Sequence, residues 1–185
     1  MITKMLSKRQ VIINGGVFGL FILLGMGIYL NSLHNGFHYD DGHHITGNYY
    51  IKNLENIPLF FKEPRTFSIF SGAFFHYRPL VLVSHALNFY FGELNPVGYH
   101  LVNLGFHIGS SYLVFMIIRR MMGEGISLFP PVAAGLLFLT TPFNSEVVNY
   151  ISARSTVMCA FFCLLSFYFW VRFRSQGIED RSEKL

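Results

Sequence analysis

The sequence predicts an all-α integral membrane fold of about four transmembrane helices, with a long outer loop carrying short interfacial helices between the first two. Three observations predict it. The chain has 185 residues, of which 52% are hydrophobic and 17% aromatic, with 21 Phe. Charged residues make up only 13%, about half the usual share in a soluble domain, and the mean hydropathy is +0.41. The apolar residues gather in runs bounded by short basic clusters. The net charge of +4 is therefore spread over span ends rather than one face, which argues against nucleic acid as a partner and for the lipid bilayer.

The elements follow in order. Residues 1–10 carry Lys4, Lys8 and Arg9 and form a cytoplasmic N-terminus. Residues 11–31 form the first transmembrane helix: Val11 to Leu30 is uncharged and as a helix reaches about 30 Å, the thickness of a hydrocarbon core. A secretory signal would have a shorter apolar core and an A-x-A-like site after it; Asn31-Ser32-Leu33-His34-Asn35-Gly36 does not fit, so the run reads as an uncleaved anchor. Residues 32–97 form the outer loop, with turn signals at Asn35-Gly36, Pro58, Pro64 and Asn95-Pro96, a short helix over Leu54 to Phe61 and an interfacial helix over Pro79 to Phe91.

Residues 98–118 form the second span, ending at Arg119-Arg120, and 119–127 a cytoplasmic loop. Residues 128–143 form the third span, 144–154 an outer loop, 155–173 the fourth span and 174–185 a polar cytoplasmic tail. Cys159 and Cys163 lie four apart in the last apolar run, poor geometry for a disulfide, and read as small hydrophobes in a helix. This layout puts nine of the 14 basic residues inside (Lys4, Lys8, Arg9, Arg119, Arg120, Arg172, Arg174, Arg181, Lys184) and Lys52, Lys62, Arg65, Arg78 and Arg154 outside. The basic-inside bias thus sets both termini in the cytoplasm of a multi-pass protein of the plasma or inner membrane.

Four groups of residues could carry chemistry. Asp40 and Asp41, followed by His43 and His44, stand just outside the first span. Adjacent carboxylates there serve as a general base or hold a divalent cation, or else belong to a solvated loop. His100, Asn103, His107, Ser110 and Ser111 fall within an arc of roughly 100° on the second span, a face turned to a wet cavity or to helix–helix hydrogen bonds. Glu146 and Arg154 flank the polar turn between the third and fourth spans, as an ion pair or as exposed loop residues. Arg78, in Tyr77-Arg78-Pro79-Leu80, suits a lipid phosphate or the headgroup layer. No nucleotide-binding glycine loop, serine-hydrolase elbow or zinc-protease motif is present.

Four stretches in order carry a resemblance: FHYDDGHHI (Phe37 to Ile45), YRPL (Tyr77 to Leu80), LNPVGYHLVNLGFH (Leu94 to His107) and TPFNSEVVNYISARSTVMCAFF (Thr141 to Phe162). The chain resembles the N-terminal part of a GT-C-fold membrane glycosyltransferase, most closely the transmembrane, tetratricopeptide-repeat O-mannosyltransferases and their bacterial relatives. The resemblance implies transfer of a sugar from a polyprenyl-phosphate carrier to an acceptor on the outer face. It implies Asp40 or Asp41 as the base, with the other as its partner or a metal contact. It implies Arg78 and Arg154 as donor-phosphate ligands, and His100, Asn103, His107 and Glu146 lining the cavity. No cofactor is required by it beyond a candidate divalent cation at Asp40 and Asp41. The family also carries more spans and a repeat domain, so the expectation is a truncated or split enzyme, weak or inactive alone, with a second chain supplying further transmembrane helices. Two other classes compete: a non-catalytic scaffold or assembly partner, which has no need of the acidic pair, and a small transporter, which would use the polar stripe of the second span as its pathway.

Overall fold

The computed structural model describes residues 2–69, 76–123 and 127–182, without the side chains of 2–7, 9 and 176–182. The basic residues Lys4, Arg9, Arg181 and Lys184, used above to orient the chain, lie outside the described side chains. All regular structure among the described residues is helical. The long apolar run at the N-terminus becomes α1 (Ile2–Tyr29), extended by a 3-10 turn at Leu30–His34. The loop that follows holds a π-helical turn at Gly42–Thr46 and 3-10 turns at Tyr50–Lys52, Leu54–Asn56 and Pro64–Phe67, with the four-residue α2 (Ile57–Phe60) between the last two. Next come α3 (Pro79–Gly92), α4 (Pro96–Met122), α5 (Phe129–Thr140), the one-turn α6 (Glu146–Asn149), a 3-10 turn at Ile151–Ala153, and α7 (Arg154–Ser182).

Among the described residues three segments are long and apolar enough to cross a bilayer: Gln10–His34, Pro96–Met122 and Ile151–Ser175. The third expected span, 128–143, is helical only over the 12 residues of α5, about 18 Å at the α-helical rise. Pro142 stops it: a proline cannot donate to the ladder, and its predecessor Thr141 is driven to extended backbone at φ −61°, ψ 123°. The polar stretch beyond forms irregular turns rather than a further helical turn.

Helix α4 is central, packed by α1, α5 and α7. It begins cleanly because the Asn95 side chain accepts from the Val97 N–H at 3.1 Å and Pro96 opens the first turn. Small residues allow close approach. A Cβ on Gly135 of α5 would lie 2.6 Å from the Phe21 ring and 2.9 Å from the Ser111 carbonyl. Val17, Phe21, Leu104, Ile108, Phe115 and Leu139 fill the layer between α1, α4 and α5. A second core builds the loop region, with Ile45, Ile51, Phe60 and Phe67 of the loop against Val81 and Leu82 of α3, Tyr99 of α4 and Ile151. Asn48 locks that layer: its amide donates to the Thr66 carbonyl at 3.0 Å and its oxygen accepts from the Tyr50 N–H at 2.9 Å. The loop is therefore a packed cap on the helices, with its own apolar interior, and it sets the site.

Candidate functional site

The two aspartates, alike in sequence, part in the structure. Tyr39 lies at φ +46°, the left-handed region that an aromatic residue rarely enters. The turn it makes is closed twice, by the Asp41 N–H to the His38 carbonyl and by the His38 N–H to the Asp41 carboxylate, both at 2.9 Å. The consequence is that consecutive carboxylates face opposite ways. Asp41 is 1% exposed. Its other oxygen accepts from the Ser152 N–H at 2.9 Å and the Ser152 hydroxyl at 2.5 Å. Asp41 thus ties the loop to the turn that starts α7, with both of its oxygens engaged.

The Asp40 side chain stays 57% exposed. His43 Nε2 lies 3.2 Å from its Oδ1, and His43 Nδ1 lies 3.0 Å from the Ser68 hydroxyl. A carboxylate can only accept, so this geometry favours the proton on Nε2 and a hydroxyl that donates to Nδ1. The Tyr150 hydroxyl accepts from the Asp40 N–H at 3.2 Å. Hydrogen bonding from Tyr150 and then from His43, opposed by partial burial and helped by the charge of the two histidines, holds Asp40 below the usual carboxylate range. It is therefore ionised at neutral pH. Burial, with help from neighbouring His43, pushes His44 down to about 4; Asp40 opposes that shift and Arg78 adds to it. His44 is thus neutral at neutral pH and lies within electrostatic reach of both Asp40 and Arg78.

Two cavities open here. One, of about 660 Å³, is lined by Asn35, His38, Tyr39, Asp40, Glu146, Asn149 and Tyr150. The other is a groove of about 830 Å³ between the starts of α3 and α7, walled by Tyr77, Leu80, Val81, Met158, Cys159 and Phe162. Arg78 stands at the groove, exposed, donating to the Ser155 hydroxyl at 2.9 Å and lying over the Phe67 ring at 5.5 Å. Among the described residues no three His, Cys, Asp or Glu side chains group to hold a metal. A divalent cation expected at Asp40 and Asp41 would find only Asp40 available, so the donor set does not fit one.

The remaining expected site residues divide. Glu146 lines the cavity with Asp40. Arg154 does not reach either opening: it is 0% exposed. Its guanidinium donates to Asn103 Oδ1 at 2.8 Å, Asn88 Oδ1 at 2.6 Å, Ser84 Oγ at 3.2 Å and the Tyr99 carbonyl at 2.8 Å. It therefore meets neutral acceptors, not Glu146 and not a solvent-facing phosphate site. His100, Asn103 and His107, expected on the cavity wall, are buried instead. His100 Nδ1 lies 2.9 Å from the Val148 carbonyl, Asn103 donates to the Val147 carbonyl at 2.9 Å and those of Tyr150 and Ile151 at 3.3 Å, and His107 Nε2 lies 3.1 Å from the Leu139 carbonyl. Their physical role is clear: irregular chain among membrane helices leaves carbonyls that water cannot serve, and α4 supplies the donors. Ser110 and Ser111 bond back to their own helix. Sequence reasoning named His43 but missed its partner Ser68, and it missed Tyr150, Ser152 and Ser155. The signal for the last three was a polar patch at the head of the last apolar run.

No family model matches the chain, and no solved structure matches it. Curated proteins do. Protein O-mannosyl-transferase TMTC2 of Mus musculus is 35% identical over 153 residues, covering 80% of this chain and 18% of that protein. The tmtc2 protein of Xenopus laevis is 37% identical over 147 residues, 77% of this chain and 17% of its own length. Protein O-mannosyl-transferase Tmtc1 of Drosophila melanogaster is 31% identical over 142 residues, 76% of this chain and 16% of its own. The chain spans less than a fifth of the length of these relatives.

Proposed function

Because the chain is a relative of the protein O-mannosyl-transferases over about four fifths of its length, we propose that it forms the carrier-binding and base-bearing part of a GT-C-type membrane glycosyltransferase. The transfer takes a sugar from a polyprenyl-phosphate carrier to a protein hydroxyl on the outer face of the membrane. The observation that carries the reading is the apolar groove between α3 and α7 with Arg78 and Ser155 at its polar end. An isoprenoid chain needs apolar walls, and its phosphate needs a cation and a hydroxyl donor.

Asp40 is the base. In an inverting transfer the acceptor hydroxyl attacks the anomeric carbon, its proton passes to the Asp40 carboxylate, and the bond from that carbon to the phosphate oxygen breaks. Charge develops on the departing phosphate, and Arg78 stabilises it there. An Asp40 that is ionised at neutral pH is ready to accept, and His43 holds its Oδ1 in place. Asp41 serves the reaction by anchoring the turn. The proposal covers the share of the relatives that this chain spans; further spans from a second chain or a longer product would complete the enzyme.

Cys159 lies in the groove wall, which gives a test that needs no turnover. The full chain, with Cys163 replaced by Ala, is reconstituted in neutral-lipid nanodiscs and alkylated with a maleimide. Polyprenyl phosphate should slow Cys159 modification several-fold, and Arg78→Ala should remove that protection. Protection that is absent, or indifferent to Arg78, would sink the carrier reading.

A further inference from the structure

The groove and the Asp40 cavity share no lining residue. A carrier held at Arg78 therefore leaves the cavity free for another molecule. The cavity's chemistry is uneven. Its walls hold two carboxylates, Asp40 and Glu146, and no Lys or Arg. Among the described residues the sole ion pair of these two acids is Asp40 with His43, and Glu146 has none. Carboxamides of Asn35 and Asn149 face the same space, joined by a long hydrogen bond of 3.4 Å, which is weak enough to yield to a ligand's amides. The Tyr39 ring, 93% exposed, meets Tyr150 edge-on at 6.4 Å.

We infer that this cavity receives the acceptor as a hydroxyl-bearing polypeptide segment with Lys or Arg beside the hydroxyl, the cation facing Glu146 and the hydroxyl facing Asp40. The inference rests on the reading of Asp40 as the base. Two carboxylates in one concave site, with no Lys or Arg in its wall, attract a cationic segment and repel an acidic one. The paired carboxamides offer a donor and an acceptor side by side, which is what an extended peptide backbone presents. A sugar tethered to its carrier enters from the groove instead. Charge at Glu146 thus sets which hydroxyls are offered to the base, while Asp40 acts on whichever is bound.

Binding of labelled peptides to the full chain in phosphatidylcholine nanodiscs tests this, with empty nanodiscs as the control. The peptides share one threonine and differ only in flanking Lys, Gln or Glu. His38 also lines the cavity, so all three peptides are compared in one buffer at one pH. The Lys-flanked peptide should bind roughly tenfold more tightly than the Glu-flanked one, a difference of about 1.4 kcal/mol. Glu146→Gln should shrink that ratio to about twofold at unchanged helical content, the residue being that of Asp40. Equal binding of all three peptides, a preference that survives Glu146→Gln, or displacement of peptide by free hexose would each overturn the inference. Carrier protection of Cys159 is measured on the same samples. Protection without peptide preference refutes the acceptor assignment alone; preference without protection refutes the carrier reading alone.

Discussion

Replacing Arg154 should destabilise the fold and spare the carrier groove. Its guanidinium is fully enclosed and serves four acceptors. In Arg154→Ala the Ser84 hydroxyl keeps its bond to the Val81 carbonyl and the Tyr99 carbonyl, inside α4, keeps its helical donor, but Asn88 Oδ1 and Asn103 Oδ1 lose theirs. Each orphaned acceptor costs about 1–3 kcal/mol, and the emptied volume adds to that. Release of a cation from burial offsets part of the sum. The balance is a loss of about 3–5 kcal/mol, or roughly 6–20 °C in Tm for a chain of this length. Arg154→Lys keeps the charge but offers three donors from a single nitrogen, so it cannot span the fork and should recover only part of the loss. Fluorescence-detected size-exclusion after a heating series in detergent reads the shift. A variant within about 2 °C of the parent, less than one kcal/mol by the same conversion, that nonetheless loses carrier binding would return Arg154 to the phosphate site and refute this account.

Three further expectations follow from the site and the packing. Asp41→Asn should cost about 2–3 kcal/mol, because its oxygen can serve only one of the N–H donors of Ser152 and His38 and its NH2 must face the other. Asp40→Asn should unfold with the parent's midpoint and lose transfer in the complete enzyme, and equal losses of stability in both would contradict the division of the pair. Between pH 6.5 and about 4 the unfolded chain binds a proton at His44 that the folded chain refuses, so stability should fall as pH falls through that window. His44→Gln should flatten the slope in a pH series of melting curves. Gly135→Ala places a methyl 2.9 Å from the Ser111 carbonyl, a backbone atom that cannot step aside; about 1–3 kcal/mol of overpacking should show in the same heating assay.

The helices were legible because apolar runs flanked by cations have one reading in a chain this poor in charge. The helix expected over 79–91 and the short one over 54–61 appear as α3 and as a 3-10 turn leading into α2. The span expected over 128–143 is only a 12-residue apolar helix, because hydropathy does not register that Pro142 and Thr141 stop it. The candidate site was legible as a set of residue types, and only half as an arrangement. Nothing in Asp40-Asp41 says that one faces inward; that follows from a left-handed Tyr39, and no residue type announces it. The stripe on α4 had two readings at equal standing in its periodicity. The carbonyls that decide between them belong to residues 139–151, more than thirty positions away in the chain. Arg154 was expected at the donor phosphate through the resemblance; the structure meets its charge with neutral acceptors.

Those α4 side chains grip the segment between α5 and α7 by its main chain and ignore what its residues are. The shape of that segment is thereby decoupled from the identity of Glu146, Asn149 and Tyr150, which hang from it into the cavity. Relatives could exchange these three side chains and acquire new tastes while keeping one scaffold, whereas His100 and Asn103 are the positions where any exchange should be felt throughout.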